Sequence, residues 1–170
     1  MKTTGIKNEK GFSFIELILY VAIITIVLSA IIPFALTIIT SAAKSNTQQE
    51  VFSQARFISE KIKYEIRNAV GINSVSTESI SLATDDVSTD PTIISLTSGD
   101  VTIKKGSGSA VLINSDFVTI TGLTFTNNTS VDNKTKNISF VLSLEDNLTS
   151  VRQEYKASTS IRSSLEVRSN

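Results

Sequence analysis

The chain is distinguished first by the residues that it lacks. Its 170 residues include no histidine, no cysteine and no tryptophan, and only two prolines. Without histidine there is no imidazole base or imidazole metal ligand, and a Ser-His-Asp triad is excluded. Without cysteine there is no disulfide, no thiolate zinc site and no thiol nucleophile. These absences exclude several common classes of hydrolase, zinc protein and redox protein.

The charge balance gives no sign of a polyanionic partner. The chain has 16 Lys and Arg residues against 16 Asp and Glu residues, so its formal net charge is zero. Proteins that bind nucleic acid usually present a basic patch, and none is evident here. The length suits one domain of ordinary size. We therefore expect one domain and no direct binding of nucleic acid.

The apolar residues are concentrated near the N-terminus. From Leu17 to Ala43 there are 27 consecutive residues without a charge, and a helix needs roughly 20 to cross a bilayer. The polar side chains in this run, which are able to hydrogen-bond to their own backbone, are Thr25, Ser29, Thr37 and Thr40. A secretory signal peptide would explain the small residues 41–43 and the basic Lys7 and Lys10, but its apolar region is only about 7–15 residues long. A plain single-pass anchor fits the hydropathy, and a third interpretation depends on the residues before the run.

The residues before the apolar run form a more specific pattern. Lys10, Gly11 and Phe12 are followed by Glu16, a carboxylate inside an otherwise apolar helix. An ordinary anchor has no reason to carry this group, because a charge within a membrane span costs on the order of a few kcal/mol. With the long Ile, Leu and Val helix and Pro33 inside it, the segment resembles the N-terminus of type IV prepilins and pseudopilins.

The resemblance implies a processing site and a site of helix distortion. In that family a membrane aspartic peptidase, the prepilin peptidase, cuts after the glycine and methylates the new N-terminal residue. Carried over to this chain, the cut falls between Gly11 and Phe12, and Phe12 becomes the N-methylated start. Proline lacks an N–H group and distorts a helix. In filaments of the family the helix near a proline such as Pro33 is often melted.

Electrostatics support a role for Glu16 in assembly. Cleavage creates an α-amino cation on Phe12, four residues before Glu16. In a bundle of such helices the amine of one subunit approaches Glu16 of a neighbour. Each charge then satisfies the other where an unpaired charge would be heavily penalised. We therefore expect the pair to determine the axial register of incoming subunits.

The leader predicts the orientation of the chain in the membrane. Lys2, Lys7 and Lys10 outnumber Glu9, so the positive-inside rule keeps the N-terminus in the cytoplasm. The rest of the chain then faces outward from the cytoplasmic (inner) membrane. The resemblance implies a later location in an extracellular or periplasmic filament.

Beyond the apolar run the pattern is that of an amphipathic helix. Its apolar stripe, at spacings of three and four, consists of Val51, Ala55, Ile58, Ile62, Ile66 and Ala69. Arg56–Glu60 and Lys61–Glu65 are predicted pairs of opposite charge on the other face. Gly71 is a candidate helix C-cap.

After Gly71 the pattern changes to the two-residue period of strands. The alternating segments are 79–82, 101–104, 117–126, 138–144 and, less regularly, 150–157. The polar stretch 158–170 is either a weak edge strand or a frayed tail, and Gly122 is a candidate β-bulge. We predict five to seven short strands in an antiparallel sheet with one buried face.

The predicted fold class is therefore α+β, with the lollipop shape of pilins. A long N-terminal helix, transmembrane in its first half and amphipathic in its second, packs on an antiparallel β-sheet head. The predicted segments are a cleaved leader at 1–11, a transmembrane or filament-core helix at 12–43, an amphipathic helix at 44–71 and a β-rich head at 72–170.

Candidate chemistry in the head is sparse. Asp85, Asp86 and Asp90 form an acidic loop, but their spacing differs from an EF-hand and such loops are usually only solvated. The glycines at 106 and 108 follow two lysines without a Walker pattern, so a hairpin turn is the better interpretation. No paired carboxylates occur in a catalytic setting. We expect no enzyme activity, no metal and no cofactor.

Three functions remain open. The chain is a structural subunit of a type IV pilus, a pseudopilin of a type II secretion-like filament, or a non-polymerising single-pass membrane-anchored β-domain with a binding role. The stretch 57–69 is more similar to a minor pilin or a J-type pseudopilin than to a major pilin, and many major pilins carry a disulfide that is missing here. The partners implied are the prepilin peptidase, other pilin subunits in a homo- or hetero-polymer, and membrane lipid before assembly.

Overall fold

The computed structural model describes residues 11–131, 135–147 and 156–168. Most of the predicted leader and most of the predicted strand at 150–157 lie outside the described residues. The chain divides into two units, Met1–Ala42 and Ala43–Asn170. Helix α1, Phe14–Asn68, contributes residues to both units.

In the first unit, nearly all side chains of α1 are exposed, on every side of the helix. Thr25 and Thr37 donate hydroxyl hydrogen bonds to carbonyl oxygens four residues earlier, at 2.8 and 2.9 Å. Ser29 and Thr40 donate to carbonyls three residues earlier, at 2.7 and 3.0 Å. The predicted bonds from these hydroxyls to their own backbone are confirmed. Because the bonds are internal to the helix, it remains suited to an apolar surrounding.

In the second unit, α1 buries one face. The six residues of the predicted apolar stripe, from Val51 to Ala69, are each no more than 1% exposed and join a common core with strand residues. This confirms the amphipathic interpretation of that part of the helix. Lys61 pairs with Glu65 at 3.7 Å as predicted, whereas Glu60 pairs with Lys63 at 3.0 Å.

Five strands form one antiparallel sheet in chain order. They are β1 Gly71–Val75, β2 Ser79–Ala83, β3 Thr92–Thr97, β4 Asp100–Lys105 and β5 Val111–Leu112. Alternate residues of the central strands, such as Ile80, Ile94 and Ile103, enter the core. Ser98 and Gly99 join β3 to β4, and both have positive φ, 54° and 88°. Positive φ at both central residues is the requirement of a type I′ hairpin turn.

Three longer strands form a second antiparallel sheet. They are β6 Val118–Asn127, β7 Asn137–Asp146 and β8 Ser158–Glu166. The β6–β7 register shifts between Ile120 and Gly122, which confirms the predicted bulge. The extra residue keeps Ile120 and Leu123 both on the buried face, where an unbroken alternation would have placed them on opposite faces. Strand β8 shows that the start of the stretch 158–170 is an edge strand.

Two details of the prediction are wrong. The described residues contain eight strands in two sheets, whereas five to seven strands in one sheet were expected. Gly71 is not a left-handed helix cap, because α1 ends at Asn68 and Gly71 is the first residue of β1. The Val70 N–H donates to the carbonyl of Ala83 at 2.9 Å, so the chain leaves the helix by pairing with strand β2.

Candidate processing and assembly site

The predicted cleavage site lies in non-helical chain immediately before α1. Residues 11–13 have no regular structure, and the carbonyl of Ser13 accepts the first helical hydrogen bonds, from the N–H groups of Glu16 at 3.0 Å and Leu17 at 3.2 Å. Phe12 is 79% exposed. A Cβ atom added to Gly11 would meet no heavy atom within 4 Å. The peptide bond between Gly11 and Phe12 is therefore open to approach by another protein.

Glu16 lies in the first turn of α1 and has a side-chain partner. Its Oε1 atom accepts a hydrogen bond from the hydroxyl of Tyr20 at 3.2 Å. The ring of Tyr20 also lies edge-on to that of Phe12, with centroids 6.4 Å apart. A carboxylate in the first turn interacts favourably with the helix dipole. The structure thus places both Phe12 and Glu16 against Tyr20.

Tyr20 is the member of this group that the sequence prediction omitted. Its signal was present, because residues four apart on a helix are neighbours and a phenol hydroxyl donates to a carboxylate. The charge-free run drew attention to Glu16 alone. Tyr20 lies among apolar residues, which makes its hydroxyl the less conspicuous feature.

Pro33 lies apart from the other predicted site residues. It is 17 residues beyond Glu16 in α1, which corresponds to about 25 Å along a helix. The helix continues through this position, and the Thr37 hydroxyl donates to the Pro33 carbonyl at 2.9 Å. Proline cannot donate a backbone hydrogen bond to the carbonyl four residues earlier. Pro33 is therefore a local weak point of the helix rather than part of the Glu16 group.

The acidic loop of the head is held by local hydrogen bonds. The hydroxyl and backbone N–H of Ser88 both donate to Asp86 Oδ1, at 2.7 and 2.9 Å, and Asp90 Oδ1 accepts from the Thr84 N–H at 3.1 Å. The Ser88 hydroxyl, and next its N–H, hold the pKa of Asp86 below its ordinary value. Among the described residues no group of three or more Asp and Glu side chains is arranged to hold a metal ion.

A buried carboxylate lies where helix α1 faces strand β4. Glu65 is 4% exposed, and its Oε2 atom is 2.9 Å from the Lys105 ammonium. The sequence pattern predicted the Lys61 contact of Glu65, because the two residues are four apart on one helix. It contained no signal for Lys105, which lies on a strand distant in sequence. This pair contributes to the head and lies outside the candidate site.

The helix, the chain before it and the head together define a class of protein. Helix α1 contains a stretch that is long and apolar enough to cross a membrane, and it lies near the N-terminus. An exposed Gly-Phe bond precedes this stretch, and an antiparallel α+β head follows it. These are the features of a membrane-anchored protein whose apolar helix is preceded by exposed, non-helical chain.

Comparison with known families is specific for the N-terminal segment. Residues 6–32 match the family described as "Prokaryotic N-terminal methylation motif", which is the type IV pilin and pseudopilin signature. The match contains Gly11, Phe12, Glu16 and Tyr20, and it ends just before Pro33. No curated protein and no solved structure matches the chain. The N-terminal segment thus carries the signature of type IV pilin-like precursors, within a helix that is long and apolar enough to cross a membrane.

Proposed function

We propose that the chain is a structural filament subunit, a minor pilin or a pseudopilin, of a type IV pilus or a type II secretion-like filament. The observation that carries this proposal is the methylation motif at 6–32, which runs into an apolar helix whose side chains are exposed on all sides. In a monomer such a surface needs lipid, and in a filament it would pack against the helices of other subunits.

Processing is the first step of the proposed function. Prepilin peptidase cuts between Gly11 and Phe12 and methylates the new amine of Phe12. The exposure of Phe12, the open space around Gly11 and the non-helical backbone at 11–13 support this step. A peptidase needs extended, accessible chain, and the helix begins only at Phe14.

Assembly is the second step. The Phe12 amine of one subunit pairs with Glu16 of a neighbour inside the bundle of apolar helices. An unpaired charge inside this bundle has a much higher free energy than the same charge in water. A subunit whose amine and Glu16 do not meet their partners is therefore disfavoured. Pro33 serves as the place where the helix opens locally when subunits pack, because its backbone ladder already lacks one hydrogen bond.

Orientation follows from the leader. The lysines at 2, 7 and 10 keep the N-terminus in the cytoplasm, so the β-rich residues beyond the apolar stretch are on the outer side of the inner membrane. Partners in this proposal are the peptidase, lipid before assembly and other pilin subunits afterwards. The proposed role is structural, and the chain catalyses no step of its own.

Mass spectrometry of the mature N-terminus tests processing. We expect the chain to begin at Phe12 with one added methyl group when it is expressed with a prepilin peptidase. The Gly11→Val variant should keep the leader, since a branched side chain replaces the smallest residue beside the cut. A wild-type chain that still begins at Met1, or that begins at Lys44 after signal-peptide cleavage, contradicts the proposal.

Fractionation tests assembly. We expect wild-type protein in the sheared or secreted filament fraction and Glu16→Val only in the membrane fraction. The control is Glu60→Gln, which removes an exposed carboxylate from the second unit of the chain. Processed wild-type protein that never leaves the membrane fraction would support the alternative, a non-polymerising anchored β-domain with a binding role. A Glu16→Val variant that assembles normally refutes the proposed pairing.

A further inference from the structure

Among the residues that the structure describes, Tyr20 contacts both Glu16 and Phe12, the two residues assigned to the assembly pair. Its hydroxyl donates to Glu16 Oε1 at 3.2 Å, and its ring lies edge-on to Phe12, at a centroid distance of 6.4 Å and an interplanar angle of 64°. Glu16 and Tyr20 are four residues apart in α1 and so lie on one side of it, and Phe12, in the non-helical chain just before α1, meets the Tyr20 ring on that side. The two contacts therefore form one continuous group along this face.

The surroundings make this hydrogen bond important. Glu16 and Tyr20 lie at the start of the apolar stretch, where neither a carboxylate nor a phenol hydroxyl finds polar partners easily. Among the described residues no other side chain donates to Glu16. At 3.2 Å the bond is longer than is usual for a hydroxyl that donates to a carboxylate, but an apolar medium strengthens it relative to the same bond in water.

We propose that Tyr20 is a positioning residue for assembly, which holds the Glu16 carboxylate and the Phe12 side chain in the arrangement that an incoming subunit requires. This inference rests on the proposed role of Glu16. The Tyr20 hydroxyl occupies Oε1 and restricts the side-chain rotation of Glu16. Oε2 is then left for the amine of the neighbouring subunit. The ring contact restricts Phe12, the residue whose backbone nitrogen becomes that amine.

The role requires the hydroxyl as well as the ring. Tyr20→Phe keeps the ring contact with Phe12 and removes the donor to Glu16. Tyr20→Leu removes both contacts but keeps an apolar side chain that suits a membrane helix. We therefore expect Tyr20→Phe to be impaired and Tyr20→Leu to be impaired further. Neither change should affect membrane insertion or cleavage after Gly11, because neither alters the apolar length or the Gly-Phe bond.

A competition experiment measures the effect. Each full-length variant is co-expressed with a tagged wild-type copy in a host that carries the assembly machinery. Quantitative mass spectrometry gives the ratio of variant to wild type in the filament fraction and in the membrane fraction. For Tyr20→Phe we expect the filament ratio to fall about three- to tenfold relative to the membrane ratio, as for the loss of one hydrogen bond of ordinary strength. The control is Tyr64→Phe, which removes a phenol hydroxyl from an exposed position in the second unit and should leave the ratio unchanged.

A double-mutant cycle distinguishes positioning from a general packing effect. If Tyr20 acts through Glu16, Tyr20→Phe should add no further loss in a Glu16→Gln background. If Tyr20→Phe lowers filament incorporation equally in the wild-type and Glu16→Gln backgrounds, the inference is overturned. It is also overturned if Tyr20→Phe incorporates like wild type while Glu16→Gln fails to incorporate. If Glu16→Gln itself incorporates like wild type, the proposed pairing fails, and the inference that rests on it fails as well.

Discussion

The buried carboxylate of Glu65 makes the head sensitive to the loss of one lysine. Lys105 Nζ lies 2.9 Å from Glu65 Oε2, and Lys61 Nζ lies 3.7 Å from Oε1. At an effective dielectric constant of about 20, the Coulomb attraction between Lys105 and Glu65 at 2.9 Å is about 6 kcal/mol. Much of this attraction offsets the free-energy cost of removing the Glu65 carboxylate from water. The Lys105→Met variant keeps the aliphatic stem and removes this compensation.

The expected loss of stability is smaller than for a fully buried pair. Removing one partner of such a pair costs about 3–5 kcal/mol. Here the Lys105 side chain is 42% exposed, and Lys61 remains as a second cation near the carboxylate. We therefore expect Lys105→Met to lower the free energy of unfolding by about 2 kcal/mol, which reduces Tm by roughly 4–8 °C in a protein of this size.

Thermal unfolding of the full chain in detergent micelles measures this effect, with the β-sheet signal followed by far-UV circular dichroism. Lys104→Met is the matched control, because Lys104 is an exposed neighbour on the same strand, and its Tm should stay within about 2 °C of wild type. The double variant Lys105→Met/Glu65→Gln should recover part of the loss, since the buried charge is gone. A Lys105→Met variant as stable as wild type would show that the carboxylate does not depend on Lys105, and the reasoning would be refuted.

Two further predictions concern the loop beside this pair. Gly106 has a φ of 52°, and a Cβ added there would lie 2.4 Å from the Ser88 carbonyl oxygen, so Gly106→Ala should lower the free energy of unfolding by more than about 1 kcal/mol and lower Tm clearly. Gly122→Ala, with no atom within 4 Å of its Cβ, should change Tm little. Equal effects of the two substitutions on Tm would contradict this prediction. The Ser88 hydroxyl lowers the pKa of Asp86 in the folded protein, so the ionised carboxylate stabilises the loop at pH values above its ordinary pKa of 3.8. This stabilisation is lost as the pH falls through the lower pKa that Asp86 has in the folded protein. In Ser88→Ala the pKa of Asp86 measured by NMR should therefore rise toward 3.8, and an unchanged titration would rule out the hydroxyl as the cause.

Much of the N-terminal segment could be predicted because its information is local. The apolar stretch, the lone Glu16 and the Gly11–Phe12 pair are adjacent in sequence, and membrane insertion and peptidase recognition act on short continuous segments. Cleavage between Gly11 and Phe12 and the assembly roles of Glu16 and Pro33 remain predictions, because they depend on the peptidase and on neighbouring subunits. The contact of Tyr20 with Glu16 is also local, at a spacing of four residues, but the apolar residues around Tyr20 obscure its hydroxyl as a donor.

The sequence by itself determined the kinds of element in the head. The stripe from Val51 to Ala69 and the alternation along β7 identify a buried helix face and a buried strand face, because helices repeat every 3.6 residues and strands every two. Only the tertiary structure decided how the strands divide into two sheets, where α1 ends and which cation meets Glu65. Each of these depends on contacts between residues far apart in sequence, such as Val70 with Ala83 and Glu65 with Lys105. Periodicity describes which face of an element is apolar, but it contains no information about which element packs against that face.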